Sequence, residues 1–193
     1  SSLLRLQSNK FADPAVRAVF TECRDRINAM ARLHEELYNE HGQSHLDFAP
    51  HLRELAEMLL RSHKPSGCKL GLNVSANRVR LDLDQSILRS LIANELLLAA
   101  LTHAFHGCAT GKVDAELRTT QDRVTLTIRD DGNGFVPRPI EIEEPRGTGL
   151  DLVRAMSRQL GGEFAINRIP AGGMCAAISF RSKVSRQQPG VHR

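Results

Sequence analysis

The sequence predicts an α+β protein. An antiparallel helical hairpin, paired into a dimeric four-helix bundle, comes first. An α/β sandwich follows, with a mixed, mostly antiparallel sheet and helices on one face. Three observations carry this. Val16, Phe20, Cys23, Ile27, Met30, His34 and Leu37 recur at spacings alternating four and three, the mark of a helical seam. Farther on, runs such as Arg123-Val124-Thr125-Leu126-Thr127-Ile128-Arg129 alternate polar and apolar, as half-buried strands do. Between the strands lie two longer stretches of helical character, from Asp84 to Phe105 and from Leu152 to Gly162.

Taken in order, Ser1 to about Asn9 read as the end of a helix, and Asp13-Pro14 starts the next, with Asp13 as N-cap and Pro14 in the first turn. The polar break His41-Gly42-Gln43-Ser44 ends the seam. The leftover apolar face of such a hairpin is best buried in a homodimer. Phe48 to His63 form an amphipathic helix with Leu52, Leu55, Leu59 and Leu60 on one face, closed by the turn residues Pro65-Ser66-Gly67. Two strands, Lys69–Val74 and Arg78–Leu83, are expected around the turn Ser75-Ala76-Asn77, with Asp84 capping the helix that follows. Further strands are expected at about 112–119, 123–130, 163–168 and 174–181, and the Pro- and charge-rich run 132–146 reads as a mobile loop. The domains are then 1–63, the hairpin and connecting helix; 64–181, the sandwich; and 182–193, a disordered tail.

Composition narrows the function. With 193 residues and 41% hydrophobic content the chain can bury a sizeable core, which must be aliphatic because there is no Trp and one Tyr. No run of eighteen apolar residues occurs and Leu3-Leu4-Arg5-Leu6 is no signal peptide, so the chain is expected to be cytoplasmic without direct membrane insertion. The four cysteines are scattered without a C-x-x-C and read as reduced. A net charge of +4 spread along the chain makes no case for nucleic acid.

The chemistry gathers in three places. Asp130-Asp131-Gly132-Asn133-Gly134 follows a strand, so a carboxylate can bond a ligand while the glycines let the backbone close around it. Alone, that pattern also fits a hairpin turn. Upstream, the apolar helix carries Asn94-Glu95-Leu96 and ends in His103-Ala104-Phe105; downstream, Gly147-Thr148-Gly149-Leu150 opens another helix. In this order the three resemble the N box and the first and second glycine boxes of the Bergerat-fold (GHKL) ATPases, over about residues 70–181. Ser2-Leu3-Leu4-Arg5-Leu6-Gln7-Ser8, Arg26-Ile27-Asn28-Ala29-Met30 and His34-Glu35-Glu36-Leu37-Tyr38 resemble the dimerisation helices of one subclass of bacterial sensor histidine kinases.

The resemblance implies ATP as ligand, with Asp130 accepting from the adenine amino group and Gly132 and Gly134 admitting the base. It further implies phosphate contacts from Gly147, Thr148, Gly149 and Leu150 at a helix start, where partial positive charge gathers. Asn94 and His103 join the nucleotide site, and Glu95 is the catalytic candidate, orienting or polarising the attacking group. The resemblance places the phosphoaccepting histidine motif upstream of Ser1 and implies a response regulator receiver domain as partner. His34 reads as a packed seam histidine, and Arg138, Arg146 and Arg154 as solvated charges. The N box departs from the family pattern at two positions. Ala99 stands where the family carries the asparagine that binds Mg²⁺, and Thr102 stands for a phosphate-neutralising lysine. Asp151 adds a carboxylate beside the second glycine box. Mg²⁺ binding is therefore expected to be impaired.

Three functions fit: the catalytic core of a sensor histidine kinase; a degenerate, dimeric phosphotransfer or scaffold relative with weak or no ATP binding; and an anti-sigma-factor serine kinase. The helical seam argues against the third.

Overall fold

The computed structural model describes residues 31, 45–65, 67–120, 123–133 and 149–181. The seven predicted seam residues, the positions Gly134, Arg138, Arg146, Gly147 and Thr148, and the tail 182–193 lie outside the described residues.

The described chain runs β1 (His45–Asp47), α1 (Phe48–His63), β2 (Lys69–Ala76), β3 (Arg80–Asp82), α2 (Leu83–His103), β4 (Thr110–Thr120), β5 (Arg123–Asp130), α3 (Gly149–Gln159), β6 (Glu163–Arg168) and β7 (Met174–Arg181). Asp47 caps α1 by accepting from the Ala49 N–H at 3.2 Å. Phe48, Leu52, Leu55, Ala56 and Leu59 form the buried stripe of α1. The helix stops before Pro65, and Gly67, at φ +80°, takes the left-handed turn that follows.

Five strands form one sheet in the order β2-β4-β5-β7-β6. β2 runs parallel to β4, and the remaining neighbours are antiparallel. A parallel pair needs a long crossover, which β3 and α2 supply. Period-two alternation puts Val113, Ala115 and Leu117 of β4, Val124, Leu126 and Ile128 of β5, and Ala176, Ile178 and Phe180 of β7 in one core. The opposite face is polar, with exposed ion pairs such as Lys112–Asp114 at 2.8 Å and Arg118–Glu116 at 2.7 Å that contribute little. α2 covers the core face and is apolar nearly all round, as a helix flanked by α1, α3 and the sheet must be.

Two local expectations are corrected. β2 continues to Ala76, because its ladder with β4 runs on to Leu117 and the Asn77 N–H still bonds the Leu117 carbonyl at 3.0 Å. The next strand is β3, of three residues, and it leaves the main sheet to pair with β1. The bond from Phe48 N–H to the Val79 carbonyl, 2.9 Å, holds it there. The second correction concerns the start of α2. The N-cap is Asp82, extended at φ −60°, ψ 146° and without a side-chain cap bond, so Asp84 lies inside the first turn. Asp82 and Asp84 look alike in sequence; the β1–β3 ladder decides between them.

Leu126 sits in the middle of the central strand at 2% exposure. Leu126→Ala should cost about 2–5 kcal/mol in urea unfolding, whereas Thr125→Ala on the open face should cost under about 1 kcal/mol.

Candidate functional site

Asp130 is the last residue of β5 and shares the inward phase of Leu126 and Ile128. The alternation that buries those side chains also carries a carboxylate beneath α2, where it is 4% exposed. One oxygen, Oδ1, accepts from the Gly132 N–H at 3.1 Å. The other, Oδ2, is buried with no hydrogen-bond partner. Burial pushes the carboxyl above its ordinary value; the N–H groups of Gly132, bonded to Oδ1, and of Met174 on the facing strand pull the other way, and the neighbouring Asp131 adds to the rise.

The backbone around this carboxylate is close-packed. A Cβ on Gly132 would lie 2.2 Å from the Ala104 carbonyl oxygen, so only glycine lets the chain pass the end of α2. That same carbonyl accepts from the Asn133 N–H at 3.0 Å. Asp131 turns outward and accepts from the Lys112 N–H at 2.6 Å, which ties the end of β5 to β4.

A third glycine escaped the sequence reading. In the β6–β7 turn, Gly172 and Gly173 take φ of +106° and +87°, and a Cβ on Gly173 would meet the Asp130 carbonyl oxygen at 1.9 Å. The tandem Gly172-Gly173 after Pro170 was a visible turn signal. Only the β5–β7 register, which sets Asp130 opposite Met174, shows that the turn abuts the site.

The N-box positions are divided. Asn94 and Glu95 are both buried, at 0% and 3% exposure, and Asn94 Nδ2 donates to Glu95 Oε1 at 3.4 Å. Asn94 Oδ1 is buried without a partner. Thr102 donates its hydroxyl hydrogen to the Leu98 carbonyl of its own helix at 2.7 Å, and His103 is exposed. Ala99 offers a half-buried methyl where the family's metal-binding oxygen would be. Among the described residues no group of three His, Cys, Asp or Glu is placed to hold a metal ion. With no side-chain oxygen at position 99 and the Thr102 hydroxyl turned onto Leu98, this end fits Mg²⁺ poorly. The adenine end fits: a buried orphan acceptor lies beside a backbone with no room for a Cβ.

α3 begins at Gly149, with Leu150 half-buried beside it. Asp151, in its first turn, accepts from Arg154 Nη1 at 3.1 Å, so its charge is partly offset within the helix. α3 packs against α2. The structure thus brings Asp130 and Gly132 to the end of α2, places Asn94 and Glu95 farther up that helix, and sets Gly149 and Leu150 on its neighbour.

Residues 69–176 match the family described as histidine kinase-like ATPase domain, and residues 1–63 match the family described as histidine kinase. The chain belongs to the histidine kinases. It is similar to blue-light-activated histidine kinase 2 of Erythrobacter litoralis, 25% identical over 97% of this chain and 53% of that protein. The nitrate/nitrite sensor protein NarQ of Escherichia coli is 31% identical over 66% of this chain and 22% of its own length. The chain therefore spans about half of one curated relative and about a fifth of the other. In fold it resembles the kinase domain of the E. litoralis EL346 blue-light-activated histidine kinase, with a TM-score of 0.70 at 21% identity, covering 93% of this chain and 82% of that one. Among the described residues no helix is long and apolar enough to cross a membrane.

Two outcomes follow for stability. Gly173→Ala should cost roughly 2–4 kcal/mol in chemical unfolding, from the positive φ and the contact with Asp130 together. Because the Asp130 pKa is raised in the folded state, its charge costs stability that is absent below the unfolded Asp pKa and fully present above the folded one. The stability of Asp130→Asn relative to the parent should therefore rise as pH climbs through the window above the ordinary Asp value. Unfolding curves at several pH values check this; a difference that is flat or falls across that window would show the carboxylate to be unstrained.

Proposed function

We propose that this chain is the ATP-binding catalytic core of a two-component sensor histidine kinase. It works as a cytoplasmic homodimer through its helical hairpin, phosphorylates a histidine, and signals to a response regulator receiver domain. The single observation that supports nucleotide binding is Asp130 Oδ2, a buried acceptor without a partner. Leaving such a group unsatisfied costs about 1–3 kcal/mol, which an adenine amino group would recover by donating to it. A guanine presents a carbonyl at the corresponding position and would meet the carboxylate with like polarity.

In this reading Gly132 and Gly134 shape the base pocket, with Gly173 bracing it from behind. Gly149 and Leu150 offer backbone N–H groups at the start of α3 to phosphate oxygens, and Gly147 and Thr148, which precede them in sequence, belong to the same glycine box. Asn94 and His103 complete the nucleotide site, and Glu95 orients or polarises the attacking group. ATP supplies the phosphoryl group; the protein supplies positioning and charge neutralisation.

A second reading, the degenerate relative, is favoured by a separate observation. Ala99 has no oxygen to offer a metal, and the Thr102 hydroxyl is already used on Leu98. Both readings share a base pocket and differ at the phosphate end. The expected combination is adenine recognition with a poor metal site.

Calorimetric titration with ATP, with and without Mg²⁺, separates them. Binding is expected in both conditions, with Mg²⁺ changing the affinity less than about threefold, and Asp130→Asn weakening it by at least about tenfold. No heat in either condition would sink nucleotide binding, and a large Mg²⁺ enhancement would sink the impaired metal site. Ala99→Asn with Thr102→Lys, in a chain extended to include an acceptor helix, should raise phosphoryl transfer to histidine. Robust transfer before those changes would exclude the degenerate reading.

A further inference from the structure

A cavity of about 570 Å³ lies between the turn after α1 and the last turn of α2. Its size falls within the roughly 300–1,000 Å³ typical of small-molecule pockets. It shares no lining residue with Asp130 or Gly132. Leu101 and Phe105, both fully buried, and Pro65 give it an apolar floor.

The rim has a consistent polarity. Thr102 has committed its hydrogen to the Leu98 carbonyl, so its oxygen faces any occupant as an acceptor. His106 Nδ1 lies 3.2 Å from the His103 carbonyl, which can only accept; the hydrogen of the neutral ring is therefore on Nδ1, and Nε2 is an acceptor. The Cys108 thiol donates to Asn133 Oδ1 at 3.4 Å, leaving sulfur lone pairs. His63 also borders the cavity, with its Nδ1 2.9 Å from Ser62 Oγ, whose own hydrogen is on the Met58 carbonyl. Among the described residues no Lys, Arg, Asp or Glu lines the space.

Among the described lining residues a phosphate or carboxylate would meet no Lys or Arg, and the hydrogens of Thr102, Cys108 and the neutral His106 ring are already committed. We propose that the cavity is a second ligand site, for a molecule with a flat apolar body and a hydrogen-bond-donating head, of the aromatic amine or amidine class. The ring would lie against Pro65 and the last turn of α2, over the buried Leu101 and Phe105, while the head donates to Thr102 Oγ1 and His106 Nε2. Thr102, the N-box position, borders this cavity as well, so binding is measured without ATP and His106, outside the N box, carries the test.

Amide chemical shifts of the ¹⁵N-labelled chain give the test, with benzamidine and tryptamine as probes and benzoate and indole-3-acetate as matched carboxylates. The amine and amidine should shift the Gly67, Gly107, Cys108 and Ala109 amides with about millimolar affinity, as expected for probes of this size. The carboxylates should bind at least about tenfold more weakly, and His106→Phe should weaken the amine and amidine about three- to tenfold. Ala109→Trp should fill the cavity and abolish the shifts; should that variant misfold, His106→Phe, on an exposed side chain, still decides. No shift at these amides, equal binding of the carboxylates, or insensitivity to the folded variants overturns the proposal.

Discussion

The meeting of the end of α2 with the end of β5 is the contact on which the rest of the site depends. The Ala104 carbonyl, freed at the helix terminus, accepts from the Asn133 N–H, and the bare backbone of Gly132 passes against the same residue. A helix terminus must place its last carbonyls somewhere, and here one of them positions the loop that carries the candidate base pocket. α2 is in turn held by the sheet core beneath it. The carboxylate of Asp130 is therefore placed by strand phase, helix packing and a single backbone bond acting together.

Much of this was readable from residue pattern. β5, β6 and β7 stand at the predicted residues, because alternation is strong where one face is buried and the other wet. The helix at Phe48–His63 was equally plain from Leu52, Leu55 and Leu59. The course of residues 75–84 was not. β3 has three residues, too few to show a period, and its partner β1 lies more than thirty residues earlier. A polar triplet at Ser75-Ala76-Asn77 imitates a turn until the parallel ladder with β4 is known. At the candidate site, the spacing of Asp130 and Gly132 after a strand singles them out in sequence. Gly173 was hidden because its role is set by cross-strand register and not by a local motif.

The two ends of the candidate site also differ in kind. The base end is defined by backbone: glycines without room for a Cβ, N–H groups on a buried carboxylate, a carbonyl at a helix end. Such features persist as long as the fold does. The phosphate end depends on individual side chains, and there Ala99 and Thr102 replace the groups that family resemblance calls for. Loss at side-chain positions costs the fold little, since Ala is the best helix former and the Thr102 hydroxyl is satisfied on the Leu98 carbonyl. A chain of this family can thus keep its architecture while its chemistry is thinned.

The short β1–β3 ladder has a further consequence. Asp47 passes directly into Phe48 of α1, and Asp82 directly into Leu83 of α2, with no spare residue between strand and helix in either case. The two helices are therefore indexed to one another at their first turns. A single inserted residue would rotate a helix by about 100° or break the ladder. The ladder thus fixes the angular phase of α1 against α2, like a shaft keyed to a gear.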